Sequence, residues 1–201
     1  MSHKVNSNYK KRGRDKLYQF MPYINICTKT ISVLPRSIRQ WLYNRSRGVG
    51  GNIGIAIRYI IIRTLARQCG FNVSIQKDVI IYHIDKISMG DNVSIHEMCY
   101  IDGSGNIDIG NDVSIAHSST IMSSTHKYTS GELPIKDQGM DYRHTFICNN
   151  VWIGAKCTIV AGISIAEGCV IGAGSVVTKS TNINTVYGGI PAKPIKQRIS
   201  H

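Results

Sequence analysis

Every sixth residue from Ile147 to Ile183 is Ile or Val: Ile147, Ile153, Ile159, Ile165, Ile171, Val177 and Ile183. A second series runs four places after the first: Val151, Cys157, Ile163, Cys169, Ser175, Thr181 and Tyr187, mostly small or β-branched. Six residues turn an α-helix by about 600°, so a helix cannot keep such a series on one face. A short strand, a tight corner and another short strand can. Three hexads close a triangular coil of about 18 residues, and coils stack at the parallel-strand spacing of about 4.8 Å.

The pattern reaches back to about residue 71. Ile75, Ile81 and Ile87 are in phase, and after a slip of two the series continues as Met89, Ile95 and Ile101. A second slip of two after Ile107 leads to Ile109, Ile115 and Ile121. Gly, Asn, Asp and Ser fill the intervening corners, where the backbone needs turn or left-handed conformations. The periodicity stops at His126, is absent from residues 127–146 and resumes at Ile147. An excursion of that length from a compact solenoid is usually functional. Residues 188–198 (GGIPAKPIKQR) end the repeat with two prolines, as an end cap would.

Charge is segregated along the chain. Residues 1–70 hold 14 of the 24 Lys and Arg and one acid, Asp15; residues 71–201 hold 10 bases and 11 acids. The helix-like N-terminal third is therefore +13 and the repeat body −1. A basic segment of this kind suits an anionic lipid surface, an acidic polymer or simply solvent. Residues 1–16 read as a flexible basic arm. Residues 17–70 read as a helical cap of one or two helices, with a break at 48–54 (GVGGNIG), a helix start at Pro35 and a helix end at Gly70. Within it, 36–45 places Ile38, Trp41 and Leu42 on one helical face. The apolar run 53–62 (IGIAIRYIII) is interrupted by Arg58 and is short of the roughly 20 residues of a spanning helix.

The six cysteines include no CxxC pair, and Cys99, Cys157 and Cys169 fall at the small coil-interior position. Free thiols, no resident metal and a cytoplasmic setting follow as expectations, with contact to the inner membrane face through residues 1–70 as an option. Nucleic acid is not an expected partner, because no recognition motif accompanies the basic arm.

Residues 151–158 (VWIGAKCT), 170–179 (VIGAGSVVTK) and 189–196 (GIPAKPIK) resemble, in order and spacing, the hexapeptide-repeat acetyltransferases. The sugar O-acetyltransferases are the most similar class, including galactoside and maltose enzymes and those that decorate capsules and O-antigens. The resemblance covers about residues 71–198. It implies a left-handed parallel β-helix, a homotrimer, and acetyl-CoA in a groove between subunits.

The chemistry of acetyl transfer needs a base for the acceptor hydroxyl, donors for the oxyanion, and alignment of both substrates. The resemblance points to His126 as that base, since it ends a coil immediately before the excursion. Asp102 is a candidate to orient its ring. Cys148 is the alternative, as a Cys–His nucleophile. In the family an Asn contacts the acceptor where this chain has His96. For CoA the resemblance assigns backbone donors at Ala155 and Ala173, a flanking Trp152, and phosphate contacts at Thr178, Lys179, Lys193 and Lys196. A metal-dependent alternative, the γ-type carbonic anhydrases, needs two His five apart, and no pair here has that spacing. A non-enzymatic solenoid binding module and an antibiotic or amino-sugar acetyltransferase are the remaining alternatives.

Overall fold

A computed structural model describes residues 13–198, with side chains from Leu17 onward. The arm expected at 1–16 therefore lies outside the described residues, apart from the backbone of a helix that begins at Gly13. Three helices come first: α1 (Gly13–Ser32), α2 (Arg36–Ser46) and α3 (Gly51–Leu65). The glycine-rich stretch read as a break contains the start of α3, so the segment has three helices rather than one or two. Its last helix ends at Leu65, and Gly70 follows a strand instead of closing a helix.

From Gln68 onward the chain winds as a three-faced parallel β-helix. The first face stacks Gln68–Cys69, Ile87–Met89, Ile107–Ile109, Thr145–Ile147 and Ser164–Ile165. The second stacks Ser74–Ile75, Ser94–Ile95, Ser114–Ile115, Trp152–Ile153 and Val170–Ile171, extended by Thr185–Gly189 and an antiparallel Ala192–Gln197. The third stacks Ile80–Tyr82, Tyr100–Asp102, Thr120–Met122, Thr158–Ile159 and Val176–Val177. The hexad residues form internal ladders, such as Ile75–Ile95–Ile115–Ile153–Ile171, each member fully buried. The fourth-offset series fills the corners inside: Val151, Cys157, Cys169 and Ser175 are all at most 1% exposed. Ile183 breaks the series at 64% exposure, because it lies past the last third-face strand, Val176–Val177, in the turn that leads into the terminal hairpin.

The register explains the phase slips. Ser88 pairs with Gln68 and with Asp108, so the first coils take 20 residues; Phe146 pairs with Ser164, so the last takes 18. The added residues sit at the edge between the third and first faces, as the 3-10 turn Ile84–Lys86 and the turn around Asn106. At the opposite edge, between first and second faces, Asn72, Asn92, Asp112 and Asn150 all hold φ between 55° and 58°. Asn and Asp tolerate that left-handed conformation better than other side chains. Beside them, Asp91, Asn111 and Asn149 accept the N–H of Phe71, Asp91 and Asn111, at 2.7, 2.7 and 2.8 Å, tying each coil to the next.

A stack of parallel coils leaves the carbonyls of its first coil without strand partners, and buried carbonyls need them. The helices supply donors. Tyr43 Oη donates to Val79 O (3.0 Å) and Tyr59 Oη to Gly70 O (3.0 Å). Arg58, the charge inside the apolar run, is completely buried; it donates to Ile75 O (2.8 Å) and to Ser46 O and Val49 O (2.7 Å each). One guanidinium thus closes the end of α2 and the floor of the β-helix together. At the other end hydroxyls take over: the N–H of Ser164 donates to Ser180 Oγ and that of Ala166 to Thr181 Oγ1. Replacing Arg58 with Met keeps the volume but removes three hydrogen bonds from a charged donor, each worth roughly 1.5–3 kcal/mol, and leaves Ile75 O buried without that partner. Urea unfolding of Arg58→Met is expected to show a loss of at least about 3 kcal/mol.

Candidate active site

The third-to-first edge is where the chain departs furthest from a plain coil. After Thr120–Met122 it continues as Ser124–His126 and returns as Met140–Tyr142, antiparallel, with His126 opposite Met140 and Ser124 opposite Tyr142. The excursion rejoins the first face at Thr145, two residues earlier than the periodicity suggested. His126 therefore stands at the root of a hairpin, with an exposed ring. Ser124 lies two residues before it on the same strand, so their side chains share a face.

Asp102 sits one coil below, in register with Met122. Its Oδ2 accepts a hydrogen bond from Ser124 Oγ at 2.6 Å, and its Oδ1 accepts from Ser104 N at 3.1 Å and from the Ser104 hydroxyl. Burial pushes this carboxyl's pKa up, but the bonds from Ser104 and Ser124, aided by nearby His83, hold it net below the usual carboxylate range. Asp102 is thus an anion that grips Ser124, which shares its strand with His126. The surrounding backbone is locked: Ser123 Oγ donates to Asp102 O (2.6 Å) and accepts from Gly105 N (2.8 Å), while Lys86 Nζ donates to Ser104 O (2.8 Å). A Cβ on Gly105 would lie 2.1 Å from Ser123 O, so glycine is required there.

The other sequence-derived residues fall on different parts of the prism. Ala155 and Ala173 lie at the edge between second and third faces, and neither backbone N–H has a hydrogen-bond acceptor among the described residues. His96 is at this same edge, its Nδ1 3.4 Å from Gln76 Nε2. Trp152 stands on the second face, 55% exposed. Gly154, next along, lets the following coil approach: a Cβ there would be 2.6 Å from Ala173 N. Thr178 and Lys179 are exposed on the same edge as His126, and Lys193 and Lys196 are exposed on the terminal hairpin. One chain therefore gathers His126, Asp102, Thr178 and Lys179 on one edge, and His96, Ala155 and Ala173 on another.

Cys148 is separated from His126; it lines a groove of about 570 Å³ near the first-to-second edge, with Asn149 and Glu167. In that groove Asp108 is paired with Arg67. All six cysteines are unpaired, and no group of three or more potential metal ligands occurs among the described residues. Sequence reasoning missed Ser124, Ser104 and His83. The first had a signal, since alternate residues of a strand share a side; the others depend on a corner whose path periodicity does not specify.

Comparison with known proteins agrees with this geometry. Residues 144–179 match the family model described as bacterial transferase hexapeptide (six repeats). A chloramphenicol acetyltransferase of Morganella morganii is 50% identical over 56 residues, 28% of this chain and 27% of that enzyme. The chain spans about a quarter of the length of the first curated relatives it matches. Among solved structures, a hexapeptide-repeat acetyltransferase of Vibrio cholerae, complexed with acetyl-CoA, superposes with a TM-score of 0.73 at 24% identity, covering 82% of this chain and 87% of that one. A maltose O-acetyltransferase of Clostridium difficile gives a TM-score of 0.67 at 26% identity, covering 85% and 89%. The chain thus carries hexapeptide repeats over residues 144–179 and has the β-helix fold seen in hexapeptide-repeat acetyltransferases.

Proposed function

We propose that the chain is an acetyl-CoA-dependent O-acetyltransferase acting on a sugar hydroxyl, in a surface polysaccharide such as a capsule or O-antigen or in its precursor. The observation that carries this reading is the position of His126: an exposed imidazole at the root of the hairpin that interrupts the coil, beside an anchored Asp102–Ser124 pair. The likeness to a maltose O-acetyltransferase supports a sugar acceptor. The three sequence blocks that resemble the family support acetyl-CoA as donor.

Transfer is direct. The acceptor hydroxyl gives its proton to His126 as its oxygen bonds to the acetyl carbonyl carbon. Collapse of the tetrahedral intermediate breaks the C–S bond, and the imidazolium protonates the departing thiolate. Backbone N–H groups meet the oxyanion. Asp102 acts as a positioning residue: it anchors Ser124 on the strand that carries His126. The free N–H groups of Ala155 and Ala173 suit the amide-rich arm of CoA, with Trp152 alongside, and Lys179, Lys193 and Lys196, with Thr178, suit its phosphates. His96 suits the acceptor.

The two clusters occupy different edges, so a complete site needs two copies. We propose a homotrimer in which the His126 edge of one protomer faces the Ala155–Ala173 edge of the next.

A second reading, an antibiotic hydroxyl as acceptor, is favoured by the local identity to a chloramphenicol acetyltransferase. Thiol release from acetyl-CoA across a panel of glycans and chloramphenicol separates the two.

With the preferred acceptor, His126→Ala is expected to lower kcat by at least about 10²-fold; near-normal turnover removes the mechanism. Asp102→Asn gives a pH-dependent readout. Because the folded-state pKa of Asp102 is depressed, its stabilisation is complete above the ordinary carboxylate pKa and is lost as pH falls through the lower folded value. The wild type is therefore expected to lose more stability than Asp102→Asn between about pH 6 and pH 2, measured by thermal unfolding.

A further inference from the structure

An amphipathic helix at the end of a solenoid needs one apolar face, the one it buries. Both outer helices of the cap carry a second. On α1, Leu17, Met21, Ile24 and Ile31 pack inward. On the opposite side, Tyr23, Ile26 and, just past the helix end, Val33 are 69, 63 and 81% exposed. Their spacing of three and seven residues keeps them on one stripe.

Helix α2 splits the face read from its sequence: Leu42 packs against the core, whereas Ile38 and Trp41 are 42 and 56% exposed, and Tyr43 and Ser46 are the buried residues. Trp41 carries the Arg45 guanidinium 5.7 Å above its ring. No helix among the described residues is long and apolar enough to cross a membrane.

We propose that this cap docks the protein on an anionic lipid bilayer, lying on the surface through α1 and α2. Charge selects the occupant. These helices and the arm before them, residues 1–46, hold ten bases and one acid, +9, against −1 for residues 71–201. Two such caps placed face to face would repel one another, whereas anionic headgroups attract them. Trp and Tyr side chains, with an apolar body and a polar tip, favour the headgroup boundary, and aliphatic neighbours reach the acyl region. Arg45 over Trp41 sets a cation where a lipid phosphate would lie.

The test uses the full-length chain and sedimentation with vesicles of phosphatidylcholine alone or with about one-third phosphatidylglycerol. Binding to the anionic vesicles is expected to exceed binding to phosphatidylcholine at least about 10-fold and to weaken as salt rises from about 0.15 to 0.5 M. Trp41→Ser combined with Tyr23→Ser is expected to reduce binding at least about 5-fold, with the thermal transition and oligomeric state unchanged. Failure to bind anionic vesicles overturns the proposal, as does undiminished binding by a folded double variant. A change of oligomeric state in that variant also overturns it, since a second copy of the chain would then be what covers the stripe.

Discussion

The hydrogen bonds between coils hold everything else in place. Each strand up to Val177 is two or three residues long and means nothing alone. It exists because its N–H groups meet carbonyls one coil further on, while a ladder of Ile, Val and Met side chains is buried beneath it. This arrangement runs in one direction, so it has two unlike ends: carbonyls are left over at the start and N–H groups at the finish. The chain answers the first with Tyr43, Tyr59 and Arg58 from the helices, and the second with the hydroxyls of Ser180 and Thr181 and the terminal hairpin. Arg58 is conspicuous in an apolar helix because its partners are backbone oxygens at the end of α2 and on the first coil.

A prism of stacked coils has flat faces and three edges, and the edges are where side chains diverge enough to do chemistry. The third-to-first edge absorbs the two extra residues of each early coil and then the whole excursion. That irregularity has a chemical result. It brings Ser104 and Ser124 onto Asp102, fixes the carboxylate as an anion, and starts a short antiparallel hairpin whose first strand carries His126. The second-to-third edge stays regular and instead offers unpaired backbone donors at Ala155 and Ala173. His126 and the unpaired backbone donors at Ala155 and Ala173 thus sit on separate edges.

Much of the β-helix was legible because its constraint is periodic: burial every sixth residue needs no knowledge of contacts, and the corners advertise themselves through Asn, Asp and Gly. The slips of two were visible as well, but not their location, since periodicity records where the pattern resumes and not where the extra residues bulge. The helical cap was legible in kind and wrong in detail. Gly51 begins a helix where glycine suggested a break, and the α2 face of Ile38, Trp41 and Leu42 is split, with Leu42 against the core and the other two exposed, because Tyr43 is the residue that reaches the open coil. For the site, His126 was legible only through resemblance, and the anchoring of Asp102 was not: Ser124 is one of two adjacent serines, and only the folded corner shows which one bonds the carboxylate.

The most direct measurement of the central claim, that the His126 edge delivers the base to the acetyl group, is an experimental structure of the full chain with acetyl-CoA and a bound acceptor sugar. The expected result is an acceptor hydroxyl within about 2.6–3.2 Å of a His126 ring nitrogen, with the acetyl carbon beside it and the pantetheine amides on Ala155 and Ala173 of the neighbouring copy. A thioester seated on another edge, with the His126 ring turned to bulk water, would contradict it.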